Sequence, residues 1–325
     1  MDVKTSLTLA KEAFLRVQSY GYVDTLNAAA RIAVHNRGYL LDSHARRHSK
    51  LPARDDAKIC RDLTSIGITV APYAVDERAF RRWLSEARFP QEYIDLWAAS
   101  DDLWPEWPDL FIEKALEYYV SASLLGLNES DIILDIGARK TPFSSMVERI
   151  YGCEGYALDR QFQPGIHGKQ IGANATATPL PDGFATKITL NSAYHQFEGT
   201  ADMRFLSEAH RILRDNGKMI VLPLYIDHSY YVLWDPYRDA SNIDRDGAEI
   251  VWDDYRWPER FVRFYSVEAF NERVIANRCG FSATVYYIKN ARDIASRIDW
   301  PKHYLGFAAL FEKTPASDEE RAKKP

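Results

Sequence analysis

Short apolar runs alternate with stretches of helical spacing along most of this chain. Ile132, Ile133 and Leu134 form an unbroken apolar run, the pattern of a strand buried on both faces in a parallel sheet. Asp135-Ile136-Gly137 ends the run, and residues 142–150 continue at helical spacing with Phe143, Met146, Val147 and Ile150. The alternation then repeats. Residues 155–158 read as a strand ending at Asp159, and residues 185–190 as another leading into Asn191-Ser192-Ala193-Tyr194-His195. Residues 201–213 place Met203, Leu206, Ala209, Ile212 and Leu213 on one helical face, and Asp215-Asn216-Gly217 turns into a strand at 218–222. Residues 266–279 predict a further helix, with Ser266 as N-cap and Gly280 just past its end. Residues 281–288 and 304–313 have strand composition and predict a closing hairpin. Together these elements predict an α/β, doubly wound sheet of about seven strands.

The first 110 residues lack this alternation. Residues 5–41 predict one or two helices, with Leu7, Ala10, Phe14 and Val17 on one face. Residues 59–65, 75–87 and 91–99 predict short helices, and 68–70 a short strand. Trp104-Pro105-Glu106-Trp107-Pro108 is a rigid connector, because its two prolines fix φ. The division that follows is a helical N-terminal region (1–110), an α/β domain (111–314) and a frayed, charged tail (315–325).

The strand–turn–helix unit at 131–150 places a small-molecule site at the carboxyl end of the sheet. Gly137 lets a backbone come close to a ligand where a Cβ would block it. The turn reads Gly137-Ala138-Arg139-Lys140-Thr141-Pro142, so the second and third glycines of a dinucleotide fingerprint are missing. Asp159 follows about two dozen residues later, a spacing suited to accepting both hydroxyls of an adenosine ribose.

In order and spacing, the Asp135–Gly137 turn, Asp159, the NATATPLPDG loop at 174–183, the 185–198 strand and loop, and RILRDNGKMIVL at 211–222 resemble the class I S-adenosyl-L-methionine (SAM)-dependent methyltransferases, in particular those modifying small molecules and glycans. The resemblance covers residues 111–313, about two-thirds of the chain. It implies a Rossmann-like seven-stranded sheet and SAM as cofactor. Cofactor binding is then implied at Asp135, Gly137, Ala138, Asp159, Arg160, Asn174, Ala175 and Asn191. In this picture the first turn holds the methionine end, Asp159 the ribose and Asn174 the adenine. The candidate catalytic residues are His195, after the strand at 185–190, as a base for the acceptor's proton, and His167, in the loop after the second strand, on the substrate side. The sequence departs from the family's pattern at three places. Ala138, Arg139 and Lys140 stand where glycines are usual, Asn174 where Asp is common, and His195-Gln196 where many relatives carry Glu-His. Arg139 and Lys140 either meet the methionine carboxylate or face solvent.

An aromatic segment at 223–264 interleaves Tyr225, Tyr230, Tyr231, Trp234, Tyr237, Trp252, Tyr255, Trp257 and Phe261 with Asp and Arg. The resemblance makes it a cap over the substrate, and the charge alternation predicts partial exposure. The implied reaction moves a methyl group to an oxygen or nitrogen of a small molecule or glycan. Three other readings stay open: a non-catalytic SAM-binding regulatory protein, an NAD-type oxidoreductase, and a polyanion-binding module built on residues 31–61, which hold eight Lys/Arg against three Asp/Glu.

Composition trims the choices. The net charge of −5, from 41 basic and 46 acidic residues, argues against nucleic acid as a partner. Cys60, Cys153 and Cys279 are far apart, which argues against a disulfide framework and a structural zinc site, so no metal is expected. No signal pattern opens the chain, and no apolar run reaches the ~18 residues of a membrane span. The expected setting is the cytoplasm. The pattern leaves the N-terminal third open as lid, homodimer contact or substrate module.

Overall fold

The computed structural model describes residues 54–94, 110–139, 141–234, 243–252, 261–295 and 305–315. The helices expected at 5–41, the Trp104–Pro108 connector, Lys140, and the aromatic positions Tyr237, Tyr255 and Trp257 lie outside the described residues. The chain divides into two compact units, residues 56–226 with 267–325, and residues 1–55 with 227–266.

The larger unit is built on one eight-stranded sheet. Its strands are β1 (Thr69–Tyr73), β2 (Ile132–Ile136), β3 (Glu154–His167), β4 (Gln170–Gly172), β5 (Ala185–Asn191), β6 (Leu213–Leu222), β10 (Phe281–Ile288) and β11 (Phe307–Lys313). Across the sheet the order is β1-β10-β11-β6-β5-β2-β3-β4. The neighbours are parallel except at β11, which runs antiparallel to both β10 and β6. The expected closing hairpin therefore forms, and it sits inside the sheet because β1 adds a parallel edge beyond β10. The strand expected at 68–70 is part of that edge.

The helices are α1 (Asp56–Ser65), α2 (Glu77–Ala87), α3 (Leu110–Leu125), α4 (Phe143–Tyr151), α5 (Ala201–Ile212), α6 (Val267–Phe270) and α7 (Ala291–Ala295). The apolar runs read from the sequence are the core. Ile133, Leu134, Ile188, Leu190, Ile220 and Val221 are all shut off from solvent. Helix α2 starts on Asp76, whose carboxylate accepts from the amides of Arg78 and Ala79, and it buries Phe80 and Trp83. Helix α3 differs from an ordinary amphipathic helix, because residues 113–118 are buried all round its axis. Its polar side chains must therefore find partners inside the protein.

Strand β6 starts at Leu213, earlier than the expected 218, and takes in Asp215-Asn216-Gly217 across a register shift against β5. Two further elements depart from the sequence reading. First, β3 runs on past Asp159 to His167, and no helix joins it to β4. Its partners on β4 rise from Ala157–Gln170 to Asp159–Gly172, then fall from Gly165–Gly172 to His167–Gln170. The end of β3 thus folds back along β4 as a hairpin. Residues 160–169 are mostly exposed, and Phe162, Pro164 and Ile166 are too few apolar positions for the buried stripe of a crossover helix. His167 lies on this hairpin rather than in a loop. Second, the helix expected over 266–279 is one α turn followed by a π turn at Asn271–Ile275. There Arg273 forms a buried, two-pronged pair with Asp202 of α5, at 2.7 and 3.0 Å, and also donates to the carbonyl of Gly199.

The smaller unit holds a three-stranded sheet of β7 (Tyr231–Trp234) between β8 (Glu249–Trp252) and β9 (Phe261–Phe264). Val232, Trp234, Ile243, Ala248 and Phe261 form its core. Tyr231 donates to Asp227 at 2.8 Å. Tyr231, Trp234 and Phe261 are therefore core residues, where the charge alternation had predicted partial exposure; Tyr230 and Trp252 pack against that core half-buried.

Candidate functional site

The carboxyl ends of β2, β3 and β5 carry most of the polar residues singled out above. The turn after β2 is fastened to β3 at Leu158 and Asp159, where β3 leaves its pairing with β2. The amides of Gly137 and Ala138 both donate to the carbonyl of Leu158, and the amide of Arg139 donates to Asp159 Oδ2 at 3.2 Å. Gly137 has φ +78°, and a Cβ there would lie 2.7 Å from the Cβ of Ala193. That turn therefore packs directly on the turn that follows β5. Gly137→Ala should cost about 1–3 kcal/mol in a urea unfolding curve from backbone strain alone. A wild-type midpoint would show that the turn is not held as described.

Asp135 is buried, and two hydroxyls hold its carboxylate: Thr141 donates to Oδ2 at 2.5 Å and Thr189 to Oδ1 at 2.7 Å. Burial pushes its pKa up to about 6, against the opposing pull of those hydrogen bonds and of Asn191, while nearby Asp159 adds to the rise. Asn191 accepts from Ser121 at 2.6 Å. Although it lies close enough to influence Asp135, its Nδ2 completes no hydrogen bond of normal geometry among the described residues.

Asp159 accepts from the amides of Arg139 and Gln161, at 3.2 and 2.8 Å. A carboxylate has about four acceptor positions, so two remain for a ligand. Asp135, Gly137, Ala138, Asp159 and Asn191 are thus gathered at one end of the sheet. The others are placed elsewhere. Arg160 is exposed, and Asn174 spends its side-chain oxygen on the amide and hydroxyl of Thr176, with Ala175 buried between them. His167 is exposed, with Nε2 3.0 Å from the carbonyl oxygen of Pro164. His195 is buried in the short helical turn after β5, its ring edge-on to Tyr225 at 4.4 Å. Arg139 donates to Gln161 from an exposed position.

The sequence reading missed the polar side of helix α3. Glu117 is fully buried, and its Oε2 accepts from Lys114 Nζ at 2.9 Å and from Ser192 Oγ at 3.0 Å. Lys114 also donates to Ser192 Oγ. Glu117 Oε1 has no partner among the described residues. Burial pushes the Glu117 carboxyl up to about 7, with Lys114 and Ser192 pulling it down and Glu113 adding to the rise. The signal was in the sequence: Glu113, Glu117 and Ser121 recur every four residues within an apolar helix, which lines them up on one face. A separate cavity of about 400 Å³, lined by Gly67, Thr69, Arg278, Ser282 and Thr314 among others, includes none of the predicted site residues.

No family model matches this sequence. No curated protein matches it either. Several solved structures are similar to this chain at low identity. The 1,6-didemethyltoxoflavin-N1-methyltransferase of Burkholderia thailandensis, solved with S-adenosylhomocysteine (SAH), is 14% identical, with 75% of this chain and 95% of that one aligned and a TM-score of 0.42. The geranyl diphosphate C-methyltransferase of Streptomyces coelicolor A3(2), also solved with SAH, is 13% identical, with 80% and 98% aligned and a TM-score of 0.41. A SAM-dependent methyltransferase of Thermotoga maritima, described as a possible histamine N-methyltransferase, is 14% identical, with 70% and 100% aligned and a TM-score of 0.37. No helix among the described residues is long and apolar enough to cross a membrane.

Proposed function

We propose that this chain transfers a methyl group from SAM to an oxygen or nitrogen of a small molecule or glycan. The observation that carries the reading is the closure of the Gly137 turn onto Leu158 and Asp159 of β3, which sets a side-chain-free backbone beside a carboxylate with acceptor capacity to spare. A ribose diol needs an acceptor of this kind, and the methionine end needs a turn that it can approach closely. The residues therefore suit the cofactor. Asp159 would take the ribose hydroxyls. Gly137 and Ala138 would line the methionine end, with Asp135 bracing their turn through Thr141. Asn191, which pulls on the Asp135 carboxylate, would line the site on the β5 side.

The bound sulfonium supplies a methyl group that is already strongly electrophilic. The chain's own task is then to hold the acceptor in line and to receive a proton where the acceptor has one to lose. In a thermal unfolding assay, SAM or SAH at about a hundred times Kd should raise Tm by several degrees. NAD should leave it unchanged. A shift with NAD and none with SAM or SAH would replace this reading with the oxidoreductase.

A further inference from the structure

Ser192 sits at the carboxyl end of β5 with φ +51°, a left-handed conformation that a serine seldom takes without something holding it. Helix α3 does the holding. Ser192 Oγ gives its proton to Glu117 Oε2 and accepts from Lys114 Nζ. A hydroxyl oxygen has two acceptor positions, so one remains. Ser192 is half-buried, whereas Glu117 behind it is sealed from solvent. The other candidate base on this strand end, His195, is buried against Tyr225. The arrangement is a sealed carboxylate that accepts from a half-buried serine hydroxyl.

On the footing of the methyl-transfer reading, we propose that Ser192 and Glu117 form its proton relay, so that the acceptor is a protic group, a hydroxyl or an acidic N–H. The acceptor's proton goes to Ser192 Oγ, and the serine's own proton passes to Glu117 Oε2. The acceptor's freed electron pair forms the new bond to the methyl carbon, and the carbon–sulfur pair stays on sulfur. One sulfonium charge and one carboxylate charge disappear together, leaving neutral SAH, the methylated product and a neutral Glu117. Lys114 and Glu113 are the charged groups acting on Glu117 from its own helix, and from β5 it meets the uncharged Ser192. Tyr118, the neighbouring titratable group on the same helix, feels both Glu117 and Asp135. The near-neutral pKa of Glu117 suits a group that takes up and releases a proton at physiological pH.

The test is a radiolabelled methyl-transfer assay on the full chain with a panel of phenols and primary alcohols, beside calorimetry with SAH. Wild type should turn over members of the panel, with a rate that rises as pH increases through about 7. Glu117→Gln should bind SAH like wild type, lose about a hundredfold or more in kcat and lose that pH limb. Ser192→Ala should lose comparable activity, and in NMR of labelled glutamate carboxyls it should move the Glu117 titration upward, because a donor to the charged form is gone. Equal rates in wild type and Glu117→Gln would overturn the relay. So would a Glu117 titration that Ser192→Ala leaves in place. Transfer by neither protein to any protic acceptor, with SAH bound, would overturn the acceptor class. Failure of wild type to bind SAH would instead overturn the methyl-transfer reading.

Discussion

The stability of this protein should fall as pH rises from about 4.5 to 8, and Glu117→Gln should abolish the largest part of that fall. Glu117 has an ordinary value of 4.5 and is raised to about 7 in the fold; Asp135 goes from 3.8 to about 6. A carboxyl with a raised pKa holds its proton more tightly folded than unfolded. Its contribution is therefore complete below the unfolded value and is lost as pH rises through the folded one. At 1.36 kcal/mol per pKa unit, the Glu117 share is about 3 kcal/mol. The gap in unfolding free energy between wild type and Glu117→Gln should shift by that amount, in favour of the variant, between pH 4.5 and 8. Urea unfolding across that range measures it. A constant gap would mean that Glu117 ionises in the fold as it does in water. A fold that keeps such a group sealed behind a candidate site carries a stability cost there, as functional carboxyls commonly do.

The second large effect lies in the pair joining α5 to the π turn. Asp202 is fully buried, and Arg273 meets both of its carboxylate oxygens. Arg273→Met leaves that carboxylate buried without its cation, which should cost about 3–5 kcal/mol. Removing both charges, as Asp202→Leu with Arg273→Met, should recover much of the loss, because replacing a buried pair by apolar side chains is often close to neutral. A single variant within experimental error of wild type would show that the pair is solvated. A double variant no better than the single would show that the pair holds the π turn in place rather than only neutralising itself.

Period and punctuation made most of the sheet unit legible. The run Ile132–Leu134 with the Asp135-Ile136-Gly137 break, the helix faces at 143–150 and 201–212, and the closing hairpin all correspond to observed elements. The hairpin at 160–172 was hidden, because Pro164, Gly165 and Gly168 break the alternation of Phe162 and Ile166 and read as a loop. The aromatic segment misled for a related reason. Charged neighbours in sequence do not expose Tyr231 or Trp234 when all four residues of β7 face packed surroundings. At the site, Asp135, Gly137 and Asp159 were legible because turn chemistry and spacing are local properties. Lys114 and Ser192 were not, because they lie 78 residues apart and only the fold of α3 against β5 makes them partners.

The central claim is that the turn after β2 and the Asp159 carboxylate of β3 bind SAM, and calorimetric titration with SAH tests it most directly. Wild type should bind. Asp159→Ala should lose at least one to two orders of magnitude in affinity, as removal of charge-assisted hydrogen bonds to a ribose diol requires. Because Asp159→Ala removes the acceptors of both the Arg139 amide, on Oδ2, and the Gln161 amide, on Oδ1, a urea unfolding curve of the variant serves as the check that the fold itself survives. No binding by the folded wild type, or equal binding by Asp159→Ala, would contradict the account.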